Sequence, residues 1–529
     1  MRALIRKYGA LFLALVLICG VCLFFAARKS GMFIDEIFTY GLSNSHYAPF
    51  LGDIHGDLDN TVLTRKELLD YLVVGPEERF DFASVYYNQT RDVHPPLYYW
   101  LLNAVCSLTP GSFSLWSGLI LDLLLYLLTA VLLYRLVLRL FGSRLNAAAA
   151  AALYGLCAVG LSTMLMIRMY VLMTALTVLL ALLVTRLIQT GDKRLCPLIG
   201  LTIFLGLMTQ YYFVFYAFFL CASYVLYALV HRNWRGLLRF ALWAFAGVGL
   251  LVLAFPACLD QLFADHIVSG GSALENLKNT AQYGRRFAHI GDYLRYSGMR
   301  APRYLAMALG AALLLTSPLL VRAAREKKPD LRALWVLLPA YVAGAVVVIL
   351  SPVNEERYVY NLVPLFVASL SLGIYLLFFA LGDFPKAEPV KAGLFLALLV
   401  FAVLMARTVQ PEYLYTVYRD YDHAVEEYAD GPCIYLDRGY HEPLTQDLQQ
   451  LLFFEDLLVT PSGDEEAVQD YLARYPEAEH CVVFVDINPF WSSGYDPGQV
   501  LPVLLEHTDF QSSELLYWNY LSKAYVLSK

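Results

Sequence analysis

The sequence predicts a polytopic α-helical membrane protein of about 11 transmembrane helices, with a small α/β domain at its C-terminal end. Three observations carry that prediction. The 529-residue chain is 59% hydrophobic and only 16% charged, where soluble domains carry about 25% charged residues. Eleven apolar runs alternate with basic connections, the pattern of repeated bilayer crossing. After Arg407 the chain turns charged, and strand-like and helix-like segments alternate, as they do in α/β domains. The net charge of −6 decides nothing, because charge in such proteins acts by its location.

The first apolar run, Tyr8–Ala27, follows Arg2, Arg6 and Lys7, as the core of a signal peptide would. At about 20 residues it is longer than a signal core, and no A-x-A site follows, so it is read as a retained helix. Further runs lie near 116–138, 146–165, 171–188, 196–209, 212–230, 237–257, 304–321, 332–350, 359–381 and 391–408. The run 96–108, headed by Pro95 and Pro96, is too short to cross and is placed as an interfacial helix. That leaves 32–112 as a first outer loop with interfacial helices. With the N-terminus cytoplasmic, the inner connections hold Arg139/Arg144, Arg186/Lys193/Arg194, Arg232/Arg235/Arg239, Arg322/Arg325/Lys327/Lys328 and Lys386/Lys391. This is the expected cytoplasmic excess of Lys and Arg. The exceptions, Arg285, Arg286, Arg295, Arg300 and Arg303, share one long outer loop.

Residues 1–409 are thus expected to form the membrane domain, and 410–529 an extracytoplasmic α/β domain. In the latter, 433–437 and 481–486 read as strands, 443–457, 464–475 and 497–507 as helices, and Glu514–Trp518 and Ala524–Leu527 as edge strands. Of nine cysteines, five lie inside apolar spans, and none is spaced with His as a zinc site would be. A disulfide between Cys433 and Cys481 stays open at this level.

Five polar clusters fall on the outer side of this threading, each within a turn or two of a membrane edge: Asp35/Glu36, Asp92/His94, Arg168/Tyr170, Gln210/Tyr211 and Glu355/Glu356/Arg357/Tyr358. Random placement would divide them between the two sides. Asp35 and Glu36 stand among Met32, Phe33, Ile34, Ile37 and Phe38, a poor place for idle charge. Acidic residues that merely end a helix in water are the plain alternative. A carboxylate held there can take a proton from a hydroxyl, or hold a divalent metal ion through oxygen. In Asp92-Val93-His94-Pro95-Pro96 the prolines stop one segment and start the next, fixing Asp92 and His94 at a corner before Tyr98, Tyr99 and Trp100. A helix cap beside an aromatic belt accounts for these residues equally well. Arg168 is flanked on both sides by apolar residues, an expensive position without an anion. The anion is a structural carboxylate or a bound phosphate, which suits the guanidinium fork. Arg357, entering the tenth span beside Tyr358, repeats the arrangement, and two such arginines on one side favour a lipid phosphate. The alternation Asp53, His55, Asp57, Asp59 lacks the spacing of a calcium loop and reads as a solvated turn. Asn88-Gln89-Thr90 fits a glycosylation acceptor, a pattern frequent by chance.

In order along the chain, IDEIF, DVHPPLYYW, IRMYVL, TQYYFVFY and ERYVYNLVPLF together resemble the C-type (GT-C) glycosyltransferases. The nearest branch is family 39 in the broad sense, with protein O-mannosyltransferases and aminoarabinose transferases. The resemblance covers roughly residues 1–410; DVHPPLYY and RMY are its most specific parts. It implies a cell-membrane enzyme that transfers a hexosyl or pentosyl unit from a polyprenyl-phosphate sugar donor to an acceptor (protein, lipid or wall polymer) on the outer face. Asp35 would be the catalytic acidic residue, with Glu36 beside it. Asp92, His94, Tyr98, Arg168, Tyr170, Gln210, Tyr211, Glu356, Arg357 and Tyr358 would bind substrate, the two arginines at the donor phosphate. Membrane lipids are the other expected partners, and nucleic acid is not. Relatives often carry His where this chain has Gln210, a poor metal ligand, which weakens the case for a metal there. Two rivals remain, a lipid-linked sugar flippase and a non-catalytic scaffold. Carriers concentrate charge near the midplane, whereas here it gathers at one surface.

Overall fold

The computed structural model describes residues 2–263, 283–351, 355–380, 410–439, 441–461, 463–488 and 495–529, with scattered positions between 393 and 408. The chain divides into two compact units. One, the helical unit, holds Met1–Ala27, Val93–Tyr98 and Leu119–Glu412; the other, the sheet unit, holds Arg28–Asp92, Tyr99–Gly118 and Tyr413–Lys529. Most of residues 32–112 therefore group with the C-terminal residues.

Among the described residues, six helices are long and apolar enough to cross a membrane: Tyr8–Ala26, Leu115–Phe141, Tyr170–Thr190, Phe213–Val230, Trp234–Ala254 and Glu356–Ala380. Two bent pairs raise this to eight, Arg144–Leu156 with Ala158–Leu165 at 60° and Arg300–Leu315 with Ser317–Glu326 at 67°. The protein is a multi-pass membrane protein. Eleven spans are not reached among the described residues. Leu195–Leu207 has 13 residues and at 1.5 Å per residue covers about 20 Å, short of the ~30 Å of hydrocarbon. Leu334–Leu350 is also below span length, and the expected run at 391–408 lies largely outside the described residues. The run 96–108 forms only the ten-residue helix Leu97–Cys106.

Both bends have local causes. At the first, the Tyr126 hydroxyl donates to the Tyr154 carbonyl at 3.0 Å, drawing that carbonyl out of the helical ladder. Gly160 closes the corner, where a Cβ would lie 2.2 Å from the Tyr154 oxygen. At the second, Pro318 stands in the first turn of Ser317–Glu326 and has no N–H to continue the preceding helix.

The sheet unit is built on six strands, β1 (Thr61–Thr64), β2 (Cys433–Leu436), β3 (Asp456–Thr460), β4 (His480–Asp486), β5 (Ser512–Trp518) and β6 (Ser522–Ser528), in the order β1-β3-β2-β4-β6-β5. β2 runs parallel to both β3 and β4, and the other pairs are antiparallel. Alternation along β2 and β4 sends Ile434, Leu436, Val483 and Val485 to one face, where they pack with Val468, Tyr471, Leu501 and Leu504 of the helices Glu465–Leu472 and Pro497–Glu506. Tyr435 and Phe484, stacked at 5.5 Å, point to the other face. The tail alternates strands and helices, with two differences from the expected elements. The expected helix 443–457 breaks into Glu442–Gln446 and Leu448–Leu451, and its end becomes strand β3. The β-branched pair Val459–Thr460 and full burial of Asp456–Thr460 favour a strand there. β1 comes from the segment between the first two long apolar helices, almost 400 residues before its partner β3. Cys433 and Cys481 are both free and buried.

Candidate functional site

The expected site residues divide between the units: Asp35, Glu36 and Asp92 belong to the sheet unit, and His94, Tyr98, Arg168, Tyr170, Gln210, Tyr211, Glu356, Arg357 and Tyr358 to the helical unit.

In the sheet unit, Ile34–Asn44 is a helix that opens on the acidic pair. Negative charge in a first turn is favoured by the unpaired N–H groups there. Phe33 at the N-cap has no side-chain acceptor; instead Glu36 reaches back and its Oε2 accepts from the Phe33 N–H at 2.7 Å. The same oxygen pairs with Lys29 Nζ at 2.9 Å, and both side chains are wholly buried. Lys29 also donates to the Tyr413 carbonyl at 2.5 Å. Glu36 is therefore committed to holding the helix start, while Asp35, one residue earlier, is only half-buried. The far end of the helix is anchored by Asn44 Nδ2 to the Leu72 carbonyl (2.7 Å) and by Asn88 Nδ2 to the Ser45 carbonyl (2.9 Å). Gly41 permits this packing, since a Cβ there would strike the Tyr71 ring. Asn88 is fully buried, which closes it to glycosylation in the fold. Asp92 caps the C-terminal end of helix Phe82–Arg91. Burial, with Asp92 and Asp53 nearby, pushes the Tyr71 phenol well above its ordinary pKa.

In the helical unit, four motifs distant in sequence meet. The Leu97 N–H donates to the Met208 carbonyl at 3.0 Å, joining HPPLYY to the TQYY stretch. Tyr212 stacks on Tyr358 at 4.7 Å and 11°, joining TQYY to ERYVY. Tyr170, the first residue of its helix, meets the Tyr360 ring edge-on at 6.4 Å, joining RMY to ERYVY. Asn361 Nδ2 reaches Thr177 Oγ1 at 3.2 Å beneath that contact. Arg168 lies buried in the break between Ala158–Leu165 and Tyr170–Thr190. Arg357 is half-buried, its guanidinium 5.7 Å from the Tyr358 ring, a cation–π distance. Burial pushes the Tyr212 phenol up to about 12, against the opposing pull of Ser351 and the Arg357 charge. Gln210 is buried, and the Tyr211 hydroxyl donates to Gln261 Oε1 at 2.5 Å.

Carboxylates border the same region. Tyr360 Oη donates to Glu412 at 3.0 Å, and the Glu412 N–H donates to Ser162 Oγ at 2.9 Å. Burial, then the charges of Glu356 and Glu355, raises the Tyr293 phenol; burial and Glu412 raise Tyr296. A cavity of about 360 Å³ opens beside them, walled by Met299, Met307, Val348, Val359 and Phe366, with Glu356 also in its lining. Arg286, one of the arginines out of place by the charge rule, donates to the Ile349 carbonyl at 2.5 Å and so caps the helix Leu334–Leu350.

Tyr98 has a structural partner: its hydroxyl donates to Asp122 Oδ1 at 2.7 Å, both fully buried. Asp122 was not foreseen, although a lone carboxylate within an apolar span is a sequence signal. Lys29, two residues past the first span, and Tyr212, next to Gln210–Tyr211, are further residues that reading along the chain passed over. Among the described residues no three His, Cys, Asp or Glu side chains form a metal-ion ligand set. Glu36 is taken by Lys29, so the acidic pair does not suit a divalent cation.

These helices and polar breaks define a membrane protein with the fold of the C-type glycosyltransferases. The family described as dolichyl-phosphate-mannose-protein mannosyltransferase matches residues 93–259. The crystal structure of ArnT from Cupriavidus metallidurans bound to undecaprenyl phosphate is similar over 98% of both chains, at 12% identity and a TM-score of 0.51. The same protein in the apo state gives 12% identity, 98% coverage of each chain and a TM-score of 0.48. The Archaeoglobus fulgidus oligosaccharyltransferase tethered to an acceptor peptide gives 10% identity and 0.42, over 92% of this chain and 70% of that one. No curated protein sequence matches the chain. The resemblance drawn from the motifs stands.

Proposed function

We propose that the protein transfers a sugar from a polyprenyl-phosphate donor to an acceptor on the outer face of the membrane. One observation carries this reading: the segments bearing Arg168 and Arg357 are drawn together through Tyr170–Tyr360, with Tyr212–Tyr358 beside them. Guanidinium groups on two segments that meet suit an anionic headgroup, and the neighbouring apolar cavity suits a lipid chain. The bound undecaprenyl phosphate of the ArnT structure supports a ligand of the same class here.

In the reaction, an acceptor oxygen attacks the anomeric carbon. The new C–O bond forms as the bond from that carbon to the phosphate oxygen breaks, and polyprenyl phosphate leaves with the electron pair. The acceptor proton passes to Asp35, whose neighbour Glu36 is engaged by Lys29 and the Phe33 N–H. Arg168 and Arg357 oppose the charge that grows on the leaving phosphate. A base opposite the leaving group inverts the anomeric centre. Glu36 acts through the helix turn, by fixing Asp35, and the C-terminal domain lies on the outer side with the acceptor.

Transfer from radiolabelled polyprenyl-phosphate sugars by Asp35→Asn protein tests the proposal. A loss of about 10²–10⁴-fold is expected for removal of a general base, and near-normal turnover ends the role of Asp35.

A further inference from the structure

The sheet unit carries a polar cluster of its own at two strand ends. From β2 the chain passes by Glu442–Leu451 to β3 on one side, then by Glu465–Leu472 to β4 on the other side of β2. The carboxyl ends of β2 and β4 thus form a topological switch point, the place where open α/β sheets bind ligands. Leu436 pairs with Val485, so Asp437 and Asp486 follow side by side. The loop after β2 supplies Arg438, His441 and Glu442, and the segment after β4 supplies Asn488 and Tyr495.

These groups are tied to one another. Asp437 is 2% exposed; its Oδ2 accepts from the Gly439 N–H at 3.2 Å and meets His441 Nδ1 at 2.5 Å. Its Oδ1 is buried with no hydrogen-bond partner among the described residues. Asp486, also buried, accepts the Asn488 N–H on Oδ1 at 2.7 Å. Asn488 Nδ2 approaches Glu442 Oε2 at 3.4 Å, linking the two loops. The exposed Arg438 places its guanidinium 4.1 Å from the Tyr495 ring. His441 adopts φ 56° and Gly439 φ 86°, so the loop holds left-handed backbone to present this set.

A buried carboxylate oxygen left without a donor is costly, and beside a second carboxylate the cost grows. A ligand that donates there removes it. The rest of the set both donates (Arg438, Asn488) and accepts (Glu442, Asp486). An ammonium only donates and a phosphate only accepts, whereas a hydroxyl does both. We propose that this polar set at the carboxyl ends of β2 and β4 binds a carbohydrate, a glycan carried by the acceptor of the transfer reaction. The word acceptor rests on the reading above; the binding does not.

The test is saturation-transfer NMR on the full-length protein in lipid nanodiscs, with the methyl glycosides of mannose, glucose and galactose as probes. Ethanolamine and inorganic phosphate are the cationic and anionic controls. At least one glycoside is expected to bind at millimolar concentration. Asp437→Asn and Arg438→Ala should each weaken it tenfold or more, while Asp35→Asn leaves it unchanged. Arg438 is exposed, so its variant decides the matter if Asp437→Asn does not fold. The inference is overturned if no glycoside binds, if binding is indifferent to both variants, or if ethanolamine or phosphate is the probe those variants release. Normal turnover by Asp35→Asn would sink the transfer reading and leave this result untouched.

Discussion

Replacing Lys29 by Met should unfold the start of the Ile34–Asn44 helix far more than an ordinary substitution beside a membrane helix. Lys29 Nζ lies 2.9 Å from Glu36 Oε2, and neither side chain has any exposed surface. Removing one member of a buried ion pair leaves the other charge uncompensated, at a cost of about 3–5 kcal/mol. The sheet unit contains roughly 200 residues, for which 1 kcal/mol moves the melting temperature by about 2–4 °C. Lys29→Met is thus expected to lower the melting temperature of that unit by roughly 6–20 °C. The double variant Lys29→Met/Glu36→Gln removes both charges yet keeps an oxygen for the Phe33 N–H. It should recover most of the loss, since exchanging a whole buried pair for neutral groups is close to neutral. Thermal melting of the full-length protein in nanodiscs, followed by circular dichroism, measures all three proteins. A single variant melting within about 2 °C of the parent, or a double variant no better than the single, would refute the role given to the pair.

Two further outcomes follow from the geometry. Asp447 is fully buried between Tyr435 Oη at 2.8 Å and Asn519 Nδ2 at 2.7 Å; burial raises its pKa from 3.8 to about 6. The folded state keeps a proton that the unfolded chain releases, so stability is lost as pH rises through about 4–6, by about 3 kcal/mol at pH 7.5. Asp447→Asn should therefore gain on the parent protein between melts at pH 4.5 and 7.5, and a difference independent of pH would count against this. Gly160→Ala should destabilise the bent pair by about 1–3 kcal/mol, because its Cβ would meet the Tyr154 backbone oxygen at 2.2 Å. A melt unchanged from the parent would show that the corner has room after all.

Much of the helical unit was legible along the chain because apolar length is a local property. The runs near 116–138, 171–188 and 212–230 became helices almost to the residue. The first bend was not legible, because it depends on the hydroxyl of Tyr126 meeting a carbonyl 28 residues on. In the tail, alternation revealed β2 and β4, but the helix expected over 443–457 runs into the first two residues of DLLVT, a strand that lies between β1 and β2.

The candidate site divides in the same way. Polarity beside apolar runs marks Asp35, Arg168 and Arg357 in the linear chain, since charge near a bilayer must have a reason. Which partner each polar group takes is a long-range matter. Residue types and their order establish a multi-pass chain with acidic and basic residues poised at membrane edges. Packing alone commits Glu36 to Lys29 and Tyr98 to Asp122, joins Tyr170 to Tyr360, and sets Asp437 beside Asp486 at a strand end. Such pairings depend on side chains brought together by the fold, and hydropathy read in sequence order carries no information about them.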